Sequence, residues 1–281
     1  MTHTFGESRH VTLADGRRLH AMVRGAGDVT VVLDAGMGLS RSSWGLVVPD
    51  VAEQARTVVY DRAGLGRSDR DPRPRTLEHL RDDLLALLAE LGDGPFVLVG
   101  HSWGGPVVRT AAAALGPGAV RGVVLVDQVD EHCDLYFEPS SRKRFTASAR
   151  MVGPMARVGL YRLVGSRPGR HQPADVVADH RAEDFTPAAA AAMGAELDVF
   201  IDELEALRAA PPRLDGIPVS VITGTRPTRA DRKVRSAIVA AHRRTAEVLP
   251  DARLVEAPGS AHLVPFTEPE LVVREVLRLA G

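Results

Sequence analysis

Residues 96–115 leave little choice of fold. Phe96-Val97-Leu98-Val99 runs without a spacer into Gly100-His101-Ser102-Trp103-Gly104-Gly105 and then into an apolar stretch ending near Leu115. Four consecutive apolar residues without polar alternation read as a strand covered on both faces, the condition of a parallel sheet between helical layers. A serine flanked by glycines between a strand and a helix reads as a sharp, strained turn that lifts its hydroxyl to the carboxyl edge of that sheet.

The rest of the chain repeats the same alternation. Short β-branched runs at Val29–Leu33, Thr57–Tyr60, Val123–Val126, Val219–Thr223 and Arg253–Glu256 are the further buried strands. Between them, Leu77, Leu80, Leu84, Leu87, Leu88 and Leu91 recur at helical spacing behind a Thr76 cap and stop at Gly92. Further helices are expected from Ser42 or Ser43 towards Ala55, over Ser102–Leu115, over Asp231–Leu249 and over Pro269–Leu279. At the N-terminal end, His10–Arg24 alternates around Ala14-Asp15-Gly16, an antiparallel edge hairpin. Parallel strands need right-handed crossovers, so the expectation is an α/β fold with a mostly parallel central sheet flanked by helices. The strand runs stop between 128 and 216, where helical patches at Phe145–Leu163 and Pro187–Leu207 predict a helical insertion. Residues 1–127 and 217–281 then form the core domain.

Composition narrows the function classes. With 35 Lys+Arg against 36 Asp+Glu, the formal charge of -1 offers no whole-chain basic field for nucleic acid or anionic lipid. No run approaches 18 apolar residues and no signal-like apolar stretch follows Met1, so a cytoplasmic protein without membrane spans is expected. A lone Cys133 excludes an internal disulfide, and His132-Cys133-Asp134 lacks usable metal-ligand spacing. Gly64-Leu65-Gly66 leads into Asp71-Pro72-Arg73-Pro74 rather than a helix, which removes a dinucleotide-loop reading. The expected partner is a largely apolar small-molecule substrate, with no cofactor or metal.

Three motifs in order, Gly100–Gly105, Asp61-Arg62-Ala63-Gly64-Leu65-Gly66-Arg67-Ser68 and Gly259-Ser260-Ala261-His262, make the chain resemble the α/β-hydrolase superfamily with a cap domain over nearly its whole length. The resemblance implies the α/β-hydrolase fold, with residues 128–216 as a helical cap (lid) inserted after the sixth strand. It also implies a nucleophile elbow at Ser102, a base at His262, and an oxyanion hole from the backbone N–H groups of Met37 and Trp103. His101 sits too close in sequence to Ser102 to serve as its base. The acid departs from the commonest pattern: Thr223-Gly224-Thr225-Arg226-Pro227 holds none. Asp127, ending the sixth strand, is preferred because a carboxylate ending a buried strand needs a partner; Asp231 and then Asp130 are the alternatives. The oxyanion loop reads Ala35-Gly36 where relatives often carry His-Gly, and Asp34 and Arg62, ending neighbouring strands, are expected to pair and steady it.

His79, His180 and His242 fall in predicted helices and are expected to be solvated. The cap segment carries eight Lys/Arg against four Asp/Glu over 128–171 and three against ten over 172–216, so its halves either attract or present solvated faces. Phe137, Phe145, Met151, Met155, Met193 and Phe200 are candidates for pocket lining or cap core. A cofactor-free serine hydrolase of esters, thioesters or lactones is the leading expectation. Carbon–carbon bond hydrolysis by the same residues, or a ligand-binding protein with little turnover, are the alternatives.

Overall fold

The structure is a computed structural model that describes residues 2–92, 94–227 and 232–281. Its centre is one sheet of eight strands, β1 (Glu7–Thr12), β2 (Arg18–Arg24), β3 (Thr30–Asp34), β4 (Arg56–Tyr60), β5 (Phe96–His101), β6 (Val120–Val126), β7 (Val219–Gly224) and β8 (Ala252–Ala257), in the spatial order β1-β2-β4-β3-β5-β6-β7-β8. β1 and β2 form the expected antiparallel hairpin at the edge, with Gly16 at φ 86° in its turn. From β4 to β8 every pairing is parallel.

The helices are α1 (Val48–Val51), α2 (Leu77–Leu91), α3 (Gly104–Leu115), α4 (Pro139–Arg157), α5 (Leu160–Gly165), α6 (Ala174–Glu183), α7 (Pro187–Ala209), α8 (Arg232–Val248), α9 (Val264–Thr267) and α10 (Pro269–Ala280). Successive strand residues point to opposite faces and both faces are apolar, which explains the absence of alternation in the sequence. Val32, Val58, Leu98 and Leu125 pack with α2 and α3 on one side. Val31, Val59, Val99 and Val126 pack with Trp44 and α10 on the other.

One expected helix is absent. Ser40 rather than Ser42 or Ser43 provides the cap, a 3-10 turn covers Arg41–Trp44, and α1 begins anew at Val48. Pro49 has no N–H to donate to the preceding turn, so a continuous helix towards Ala55 cannot run through it. Helices α4 to α7 lie between β6 and β7, and α6 falls in neither of the patches 145–163 and 187–207 because its apolar spacing is weak.

The halves of the insertion pack on one another through apolar side chains of α4 and α7, with Val152 and Ala156 against Ala190, and not through buried charge pairs. Their direct pairs are exposed: Arg142 with Asp202 and Glu205, and Arg208 with Asp134. The buried and half-buried acids of its second half instead pair with arginines of the sheet loops. Arg41 meets Asp179 and Glu183 as well as Asp61, which also accepts from His20. Glu196 of α7 accepts from Arg62 and Arg75.

Candidate active site

β5 ends in the elbow. Ser102 has φ 54°, a left-handed conformation rare for a side-chain-bearing residue, held because its N–H donates to Val126 O while its own C=O accepts from Gly105 and Val129. A Cβ on Gly104 would stand 2.7 Å from the carbonyl oxygens of Asp34 and Ala35, so only glycine lets α3 start this close to β3.

His262 arrives from the turn after β8. Its Nε2 lies 3.0 Å from Ser102 Oγ, and its Nδ1 donates to Asp127 Oδ2 at 2.7 Å. That second bond places the proton on Nδ1 and leaves Nε2 free to accept from the serine. Asp127, at φ 41°, turns sharply out of β6; aspartate is among the few residues that tolerate this region. Asp130 is bonded instead by Gln128, Thr245 and the His132 N–H. Asp231 lies outside the described residues.

Asp127 has partners that sequence reasoning missed. Arg235 of α8 straddles the carboxylate with both terminal nitrogens, at 2.9 and 3.0 Å, and Gly224 N–H donates to Oδ1 at 2.9 Å. The end of β7 thus supplies a donor to the carboxylate that ends the neighbouring strand. Burial alone would raise the Asp127 carboxyl, but the His262 hydrogen bond and the electrostatic attraction of His262, His242 and Arg235 outweigh it and hold the group far below the ordinary carboxylate range.

His101 meets the backbone of His262 rather than the Ser102 hydroxyl. It donates Nε2–H to the carbonyl oxygen of His262 at 3.0 Å, and burial, then the neighbouring His262, lowers its pKa to about 3. His242 is buried, bonded to Thr223 Oγ1 and Gln128 O, and His180 is buried against Asp184 and Ser42, so neither is solvated as the sequence led us to expect. Tertiary packing supplied polar partners that helix periodicity does not reveal. Half-buried His79 bonds Pro74 O.

The loop after β3 is clamped as anticipated. Arg62 donates to Asp34 Oδ1 at 2.6 Å and also to the carbonyl oxygens of Ala35 and Gly36. Glu196 closes the clamp from α7, accepting from Arg62 Nε at 3.1 Å and from Gly38 N–H at 3.3 Å. With the flanking carbonyls drawn to Arg62, the Met37 and Trp103 N–H groups have no acceptor among the described residues. Gly36 abuts the elbow, where an added Cβ would stand 3.3 Å from Ser102 Cβ. The Trp103 indole packs on Phe200 at 5.3 Å between ring centroids, so the ring itself is core.

A cavity of about 240 Å³ opens beside Ser102 and His262 and is further lined by Arg235, Val129, Tyr136, Val234 and Ile238. The lining candidates from the insertion lie elsewhere. Phe145 and Phe200 stack at 4.7 Å, Phe137 carries Arg208 over its ring, Met193 covers Gly38 and Met151 is exposed. Among the described residues, no group of three or more His, Cys, Asp or Glu side chains is arranged to hold a metal ion.

Comparison with known proteins follows the same lines. A family model described as the alpha/beta hydrolase family matches residues 31–275. The chain is 31% identical over 109 residues to the candidate carbamate hydrolase RutD of Azorhizobium caulinodans, covering 39% of this chain and 40% of that one. It is 40% identical over 84 residues to the Karrikin insensitive 2 receptor IA of Petunia hybrida, covering 28% and 31% respectively. These matches span less than half the length of either relative. Among solved structures, the epoxide hydrolase CorEH superposes with a TM-score of 0.76 at 19% identity, covering 97% of this chain and 98% of that one. A thermophilic esterase of Thermogutta terrifontis gives 0.69 at 24%, covering 98% and 100%. The family match spans most of the chain and includes Ser102, Asp127 and His262: the chain belongs to the alpha/beta hydrolase family.

Proposed function

We propose that this hydrolase cleaves a carboxylic ester, thioester or lactone through an acyl-enzyme on Ser102, without a cofactor. The observation that carries the reading is the continuous relay from Ser102 Oγ to His262 Nε2 at 3.0 Å and from His262 Nδ1 to Asp127 at 2.7 Å. Serine is a weak nucleophile near neutral pH and needs such a base, itself oriented by a carboxylate. Ser102 attacks the carbonyl carbon while His262 takes its proton, and Asp127 stabilises the imidazolium. The Met37 and Trp103 N–H groups meet the developing oxyanion. His262 then protonates the leaving group, and water, deprotonated by the same imidazole, releases the acid and restores Ser102. Residues 128–216 serve as the cap over this centre.

The serine also argues against epoxide opening through a covalent intermediate. Attack by Ser102 on an epoxide carbon would leave an alkyl ether, which water at His262 has no carbonyl to attack. An acyl group on serine retains that carbonyl. The mainly apolar cavity wall of Val129, Tyr136, Val234 and Ile238 suits a largely apolar substrate.

Intact-mass analysis after a fluorophosphonate tests the reading. One adduct on the wild type and none on Ser102→Ala is expected, followed by turnover in a screen of esters, thioesters and lactones. A folded wild type that takes no adduct would overturn the reading and favour a ligand-binding protein. An adduct without ester turnover would direct attention to carbon–carbon bond cleavage by the same triad.

A further inference from the structure

The formal charge of -1 conceals a strong segregation: from Pro139 to Ala174 the chain has eight Lys/Arg and no Asp or Glu. This stretch is α4, α5 and the turns that follow, on the outside of the insertion. Of its cations, only Arg142 reaches carboxylates among the described residues, Asp202 at 2.8 Å and Glu205 at 3.4 Å. On α4, Lys143, Arg150 and Arg157 recur every seven residues, so they form one exposed stripe along the helix. About a quarter-turn round the same helix stand Met151 and, at its C-terminal cap, Val158, which are 59% and 78% exposed. Leu160 and Leu163 of α5 are also exposed, so this stretch holds four of the six large exposed hydrophobic side chains among the described residues. The opposite side of α4 is satisfied, with Val152 and Ala156 packed on Ala190 of α7.

We propose that this face of the insertion docks on an anionic phospholipid bilayer. The cations specify an anionic partner, and the apolar stripe beside them specifies one with hydrocarbon just beneath its charged surface. Large apolar side chains exposed together along one segment, rather than scattered singly, mark a surface that something covers. Among the described residues no helix is long and apolar enough to cross a membrane, so the contact is peripheral: Met151, Val158, Leu160 and Leu163 enter the headgroup boundary while Lys143, Arg150 and Arg157 meet lipid phosphates. Attachment of this kind would hold the site beside apolar substrates dissolved in lipid, but the docking itself does not depend on the reaction catalysed.

Vesicle flotation tests it with the whole protein. The wild type should float with phosphatidylcholine vesicles containing phosphatidylglycerol, not with phosphatidylcholine alone, and should be released by high salt. Reversal of the stripe in Lys143→Glu/Arg150→Glu/Arg157→Glu removes surface attraction worth about five-fold in partitioning per cation, and should lower binding at least about a hundred-fold. Met151→Ser/Val158→Ser should weaken binding that survives in moderate salt, with both variants keeping wild-type near-ultraviolet circular dichroism. A wild type that ignores phosphatidylglycerol vesicles overturns the proposal. So does a wild-type dimer by light scattering that Met151→Ser/Val158→Ser converts to monomer without any vesicle binding, since a second copy would then own the face.

Discussion

Asp127 is the residue on which the proposed catalysis and the stability of the fold meet, because it accepts from His262, from Gly224 N–H and from both terminal nitrogens of Arg235 while fully buried. Asp127→Asn is therefore expected to act twice. It removes the acceptor that sets the His262 tautomer, lowering kcat by about 10⁴-fold. It also strands a buried guanidinium, which should cost about 3–5 kcal/mol. Denaturant melts and kinetics separate the two: Asp127→Asn/Arg235→Met should regain most of the stability and none of the activity. The strand-terminal position of Asp127 was readable, since an acid ending a buried β-branched run must find a partner. Arg235 was not, because nothing in a helix rich in arginine marks the one that turns inward. The same holds for His180 and His242, whose burial follows from neighbours far away in sequence.

At the scale of elements, α7 does more than cover the sheet, since Glu196 ties it to Arg62 and Arg75, and through Gly38 N–H to the loop after β3. Glu196→Gln keeps an acceptor but loses the charge that both arginines share. It is expected to lower stability by about 3 kcal/mol. It should lower kcat by about 10²-fold with little change in KM, since the loop carrying Met37 N–H loses its second anchor. Equal kcat in a folded Glu196→Gln would show that Arg62 and Asp34 suffice. Most elements were legible to within a few residues. α2, with leucines at helical spacing between Thr76 and Gly92, was legible to the residue. The segment before β4 was misjudged because Pro49 interrupts a run whose serines suggested a helix start.

For the whole molecule, pH is expected to act through His101 before it acts through Asp127. The folded pKa of His101 is about 3 against roughly 6.5 for a free histidine, so below the latter the unfolded chain takes a proton that the folded one refuses. Stability should fall by about 4 kcal/mol as pH drops from 6.5 towards 3. Asp127 adds to the loss only below the ordinary carboxylate value near 3.9, as pH falls towards its depressed folded pKa. Thermal melts across that range on wild type and His101→Gln check this: the variant should show a flatter acid limb. The sequence by itself determined the parallel core and the strand-turn-helix around Ser102, because each is written in local periodicity or in a turn that only particular residues can make. Only the tertiary structure decided which charges meet. An ion pair such as the part-buried Arg41 with Glu183 or the buried Arg62 with Glu196 joins residues more than a hundred positions apart, and local pattern carries no record of such a meeting.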